Sequence, residues 1–304
     1  MSNNKIFFIG LLANTDSSIL NVELDYGFEI KYMPEKEFFD FFSNLEGIPY
    51  TEVSKKLFID FPCLDSSEKK LYFISNSFDE NFEMNEYRNP FPPFSKTANF
   101  DSLVIGYLNP LIQMMRIYKE GNICMPLKYY YIIEDKTPKI LRHGSTGLFI
   151  SREQIFTLED SEIPNLIRFI QKTKFPFEEP FLQLAFANFE LSYQTHDINL
   201  SFLSLTLSLE TLFNPGGTEL TYRISRNIAV LLGNEKNNSE TIFSEIKDLY
   251  SKRSRIVHSG KSNVINKEDL LKLRCYVRES IKKIDNMGKT KKELLDLLHS
   301  SGFS

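Results

Sequence analysis

An α+β architecture is predicted for this 304-residue chain: a mixed, strand-rich N-terminal domain followed by an all-α helical bundle. Up to about residue 158 the apolar residues fall in short runs of strand length, separated by turn and proline signals. Beyond it the segments carry the 3.6-residue period of helices. The composition, 42% apolar and 25% charged, suits real cores and excludes a disordered chain. Strands grouped before helices divide the chain into 1–155 and 156–304.

The elements follow in order. KIFFIGLLAN is an apolar run of strand length. NVELDYGFEIKYMP alternates at period two in places, with Gly27 marking a bulge or bend. PEKEFFDFFSNLEG reads as a short helix, with Pro34 at its start, acids in the first turn and Phe38, Phe39, Phe41 and Phe42 along it. KKLFIDFP and KKLYFISNSF are further strands, and RNPFPPFSKT is a loop by its three prolines. FDSLVIGYLNPLIQMMRIYKEGN is helical, kinked or broken at Pro110. MPLKYYYIIED and KILRHGSTGLFI return to strand character, while SREQ and GSTG read as a helix start and a turn. The helical part comprises SEIPNLIRFIQKT, EEPFLQLAFANFELSYQT, INLSFLSLTLSLETLF, TELTYRISRNIAVLLG, SETIFSEIKDLYSKRSRIVH, KEDLLKLRCYVRESIKKID and KKELLDLLHS, with a clear stop at NPGG.

Composition also bounds function. The apolar run after Lys5 is too short for a secretory signal and no run approaches a membrane span, so a cytoplasmic protein with no membrane partner is expected. Cys63, Cys124 and Cys275 form no CxxC pair and suit reduced thiols. Four histidines argue against a histidine-rich metal centre, leaving only an all-carboxylate site open, and with no GxGxxG, P-loop or HExxH motif no cofactor and no metal is expected. Net charge is −4 but uneven: residues 215–304 hold 17 Lys and Arg against 11 Asp and Glu. That basic part is compatible with a polyanion partner, although charge alone favours ordinary solvated helix faces.

One helix breaks its own pattern. Around the helix ending at His258, Ile242, Ile246, Leu249, Ile256 and Val257 fall within about 60° of Arg253. Arg253 is thus central to an apolar stripe, where a permanent charge needs a carboxylate, a phosphate or an opening to solvent. His258 lies about 140° away, in the last turn before Gly260, where the helix dipole favours imidazolium. Both also suit structure alone, as a salt bridge and a cap. The segment 198–213 is apolar nearly all round and carries a single charge, Glu210. A helix of that kind is central, so Glu210 must be neutral or paired, with Arg253 and Arg226 as the available partners.

The run Arg253-Ser-Arg-Ile-Val-His258 fits the R-x4-6-H signature of the HEPN superfamily. SLETLF, then TYRISRNIAVLL, then Tyr250-x-x-Arg253-Ser254-x-Ile-Val-His258-Ser-Gly, in that order over about 198–262, resembles the Apea-like HEPN branch. The resemblance implies a helical bundle that forms a homodimer, bringing two copies of the motif into one cleft. It further implies metal-independent RNA cleavage, with His258 as general acid/base, Arg253 on the scissile phosphate and Ser254 where the family places a polar side chain. Glu210 and Arg226 would support the arginine. Many such proteins are similar to bacterial anti-phage, abortive-infection or toxin-type effectors, which would make residues 1–155 a sensor or regulator of unknown trigger. The alternative is a non-catalytic HEPN module for dimerisation and for binding RNA, a nucleotide or a partner; a third reading is an enzyme whose site lies in the N-terminal domain.

Overall fold

The computed structural model of the chain describes residues 5–44, 70–79, 102–145, 154–195, 197–214, 216, 219–259 and 264–302. The architecture is α+β, with the strands N-terminal and helices making up the C-terminal part. The strand expected at KKLFIDFP and the loop expected at RNPFPPFSKT lie outside the described residues.

The first unit is built on strand β1 (Lys5–Ala13). Both of its faces are buried, which is why it reads as a continuous apolar run instead of alternating. Ile6, Phe8 and Leu12 belong to one core; Ile9, Leu11 and Ala13 belong to the other. Gly10 is fixed by packing, since a Cβ there would meet Met125 Sδ at 2.3 Å. β1 lies between β3 (Lys70–Asp79) and β4 (Cys124–Glu134), with β2 (Glu29–Pro34) and β5 (Thr137–Ser145) outside them. All neighbours are antiparallel, with Phe8 opposite Asn76 on one side and Tyr130 on the other.

Two layers cover this sheet. Helix α1 (Glu35–Ser43) turns Phe38 and Phe42, one helical turn apart, into the core with Ile9, Leu11, Phe73 and Tyr129. Helix α2 (Asn109–Tyr118) and the π turn before it (Val104–Leu108) cover the other face through Val104, Leu108, Leu111, Ile112 and Met115. The segment stays helical through Pro110, and the irregularity expected there takes the form of the π turn, which gives way to α-helix at Asn109, where the absent Pro110 N–H leaves the regular i→i−4 bond unmade. β2 starts only at Glu29, because Tyr26 and Gly27 take positive φ in a turn and end the alternation suggested by the sequence.

By contacts the chain divides into Met1–Lys172 and Thr173–Ser304, beyond the position near 155 read from the sequence. The reason is local. Phe156 N donates to Asn14 O (2.8 Å), Thr15 Oγ1 donates to Phe156 O (3.1 Å) and Leu158 N donates to Ser18 Oγ (2.8 Å). Helix α3 (Ile163–Lys172) then buries Ile163 and Leu166 in the core that holds α2. The helix expected to open the bundle therefore completes the strand-bearing unit.

The second unit contains α4 (Pro180–Gln194), α5 (Ile198–Phe213), α6 (Leu220–Leu232), α7 (Lys236–Ser259), α8 (Lys267–Met287) and α9 (Lys291–Ser300). Its centre is α5, which packs against α4, α6, α7 and α8 and buries Phe202, Leu205, Leu209, Leu212 and Phe213 completely. Asp197 caps α5 by accepting from Asn199 N and Leu200 N. Capping boxes start α8 (Asn266 with Asp269) and α9 (Thr290 with Glu293). Two arginines of α8 are buried against α4: Arg274 Nε donates to Ser192 Oγ with its guanidinium 4.0 Å from the Tyr193 ring, and Arg278 Nη2 donates to the Tyr193 hydroxyl.

Candidate functional site

The motif occupies the last turns of α7. Farther back, Ile242, Ile246, Leu249 and Tyr250 are buried against the bundle. From Arg253 onward the cover thins: Ile256 is half-buried, Val257 is 50% exposed, and Ser254 and His258 are exposed. The apolar stripe therefore runs on past the end of its packing partners within the unit.

Arg253 meets Glu210 across α5 and α7, its Nη2 3.2 Å from Glu210 Oε1. The side chains keep 30% and 16% of their accessible surface, so the pair sits at the edge of the core. The contact is a charge contact without hydrogen-bond geometry, since Glu210 Oε1 and Arg253 Nε are both enclosed with no hydrogen-bond partner. Beneath it, Tyr250 donates its hydroxyl to Thr206 O (3.3 Å). Burial, reinforced by the Glu210 carboxylate and opposed by Arg253, pushes that hydroxyl well above its ordinary pKa, so Tyr250 stays a neutral donor. Thr206 and Glu210 lie one turn apart on α5, and Tyr250 and Arg253 one turn apart on α7, so the two helices meet in a short polar ladder.

Of the five residues singled out by sequence, the structure joins Glu210 to Arg253. Arg226 is engaged elsewhere: its guanidinium donates to Leu298 O (2.8 Å) and Ser301 O (2.5 Å), closing the C-terminal end of α9. Ser254 and His258 share the continuous helix with Arg253 but not its side. Five residues of α-helix separate Arg253 and His258 by about 7.5 Å along the axis and about 140° around it. Within one chain the two side chains are not convergent.

Sequence reasoning gave no role to Lys252, although it anchors the motif. Its ammonium lies 2.6 Å from Asp269 and 3.0 Å from Asp248, tying α7 to the first turn of α8. The Asp269 hydrogen bond raises the lysine pKa above its ordinary value. A turn or two earlier, Glu245 accepts from Lys272 (2.9 Å) and from the Tyr276 hydroxyl. Lys252 follows Asp248 by four residues, which was the one signal available in the sequence.

Among the described residues no group of three or more His, Cys, Asp or Glu is placed to hold a metal ion, and no helix is long and apolar enough to cross a membrane. No family model, no curated protein and no solved structure matches the chain.

Proposed function

We propose that the chain is a metal-independent RNA endonuclease of the cytoplasm, acting as a homodimer through a site composed of Arg253 and His258 from two copies. One observation supports this above the others: both motif residues stand on the last turns of α7, where the cover thins, His258 exposed beside exposed Val257 and Arg253 half-buried and steadied from below by Glu210. A single helix cannot converge Arg253 and His258, whereas a cleft between two copies does not require it to.

The chemistry follows from the side chains. The ribose 2′-hydroxyl attacks the adjacent phosphorus, losing its proton to an imidazole. The bond to the departing 5′-oxygen breaks as that oxygen takes up a proton, leaving a 2′,3′-cyclic phosphate. His258 handles these protons, and Arg253 holds the phosphate and offsets its growing negative charge. Ser254, on the same exposed turn, contributes a hydroxyl at the edge of the cleft. The N-terminal unit is then the regulatory part of a bacterial defence or toxin-type effector.

The non-catalytic reading has its own support: Arg253 already has an intrachain carboxylate, as a purely structural arginine would. The two part in one experiment. Wild type, His258→Ala and Arg253→Ala are incubated with total RNA in EDTA, with circular dichroism and light scattering as controls for fold and assembly. The endonuclease reading expects cyclic-phosphate ends from wild type only, with cleavage falling about 10²–10⁴-fold for His258→Ala and about 10²–10³-fold for Arg253→Ala. Salt-sensitive RNA binding without cut product in any variant would establish the binding module instead.

A further inference from the structure

The sheet face under α1 is laid out in matched rows. Phe7 stands between Ser77 and Tyr131, and Ile9 between Ser75 and Tyr129. On the far side of β3, Glu29 pairs with Ser75 and Lys31 with Phe73. Residues paired across strands project from the same face, so these side chains share one surface. Along β3 that surface begins with Leu71 and Phe73, which pack into the core beneath α1. It then changes to Ser75, half-buried, and Ser77, exposed. Two small side chains between larger neighbours leave a gap, and an open pocket of about 380 Å³ lies there.

The sides of this pocket differ in chemistry. On the β1 side the rings of Phe7 and Tyr131 stack, 5.3 Å between centroids and 20° between planes. Phe41 of α1 braces Tyr131 edge-on at 5.4 Å. Neighbouring strands lie about 4.8 Å apart, so the stack steps across the sheet one ring per strand. The face of Phe7 away from Tyr131 is turned toward β3, where the next ring of the series would stand and Ser77 supplies none. On the floor, the hydroxyls of Ser75 and Ser77 have no hydrogen-bond partner among the described residues. On the β2 side, Glu29 and Lys31 form a salt bridge of 2.5 Å, with both side chains more than half exposed.

These sides together select a flat ring with a polar edge. A saturated ligand cannot continue the stack. A plain hydrocarbon ring would press on two hydroxyls and take their water without replacing it. A nucleobase meets both demands, with a face to stack and an edge of donors beside acceptors. Serine hydroxyls both give and accept hydrogen bonds, and a carboxylate beside an ammonium complements a donor beside an acceptor. The volume is at the small end for ligand pockets and suits one base with its ribose. We infer that the slot above Ser75 and Ser77 binds a single nucleobase, carried by a free nucleotide or by an unpaired position of a strand. The inference concerns the first unit and stands apart from the nuclease reading.

The test is isothermal titration calorimetry on the full chain with GMP, AMP and UMP, and with benzoate as an aromatic anion that has no base edge. Wild type is compared with Ser77→Phe, which puts the chain's own ring into the stack, and with Ser75→Ala/Ser77→Ala. Ser77 is exposed, so the fold tolerates the larger side chain, and a thermal melt checks this. At least one nucleotide should bind wild type with a dissociation constant on the order of 10–500 μM, and benzoate at least about 10-fold more weakly. Ser77→Phe should weaken the nucleotide at least about 30-fold and the double alanine variant about 10-fold. No binding of any nucleotide up to about 5 mM overturns the inference. Binding that Ser77→Phe leaves unchanged places the nucleotide elsewhere and overturns the slot. Benzoate binding as tightly as the nucleotides overturns the nucleobase class. A short single-stranded DNA, which lacks the 2′-hydroxyl that the proposed cleavage needs, separates the two sources. Tighter, salt-sensitive binding that Ser77→Phe still weakens assigns the base to a strand, and binding no tighter than the mononucleotide assigns it to a free nucleotide.

Discussion

Glu210 and Arg253 show how a single misfit side chain organises its surroundings. An apolar helix that carries one carboxylate must bring a cation to it, and α7 supplies one from the centre of its own apolar stripe. The enclosed but unbonded Glu210 Oε1 and Arg253 Nε keep the contact from full strength. A double-mutant cycle of Glu210→Gln and Arg253→Met, read by chemical denaturation, should therefore give a coupling on the order of 1 kcal/mol, at the low end for a partly buried pair. A value near 3 kcal/mol would show hydrogen bonds that this geometry lacks. The pairing of Glu210 with an arginine was legible in the sequence, because periodicity exposes a charge on an apolar face. Which arginine was not: Arg226 caps α9, a contact 72 residues distant that no local pattern encodes. Nor could periodicity show that Tyr250 reaches Thr206, since a tyrosine on a helix's inner face looks like any other core residue.

Helices and strands were legible where their burial is one-sided or complete. The segment 198–213 was bounded correctly because Asp197 caps it and Asn214 ends it. β2 was overextended because the stretch before it happens to alternate, and the positive φ of Tyr26 has no signature of its own. Between elements, the clasp from α7 to α8 has a testable acid dependence. Burial acts to raise the Glu245 carboxyl, but hydrogen bonds from Tyr276 and Lys272 outweigh it and leave the pKa below the ordinary value. A carboxylate depressed in the folded state stabilises above its unfolded pKa of about 4.3, and that contribution disappears as pH falls through the folded value. Between pH 6 and pH 3 the wild type should lose more thermal stability than Glu245→Gln. The half-exposed, solvent-screened site limits the difference to about 3 °C. Equal acid losses in the two proteins would mean that the clasp contributes nothing measurable.

The whole chain is two units whose order, strands before helices, was readable from periodicity alone. Their division was not, because an amphipathic helix declares that it has a buried side without saying which core takes it. Ile163 and Leu166 of α3 are the case in point. A fragment of residues 1–172 is expected to melt cooperatively, whereas 1–155 lacks those two side chains and the bonds at Phe156. The shorter fragment should be several kcal/mol less stable, or insoluble, by the cost of opening a core. Comparable melts for the two would move the division back toward 155.

The strand at the middle of the sheet precedes the other four described strands in the chain. β1 finds one neighbour at β3 and the other only at β4, with Phe8 opposite Tyr130. At a ribosomal pace of about 5–20 residues per second, KIFFIGLLA emerges on the order of ten seconds before its second neighbour exists. In the second unit the pairs α4 with α5 and α6 with α7 instead close within a few tens of residues, while α8 returns to α4 only after about 80. β1, apolar on both faces, therefore waits through more than a hundred residues of synthesis for the neighbour that covers its second edge, so a substitution that slows β4 pairing should raise aggregation during refolding before it lowers equilibrium stability.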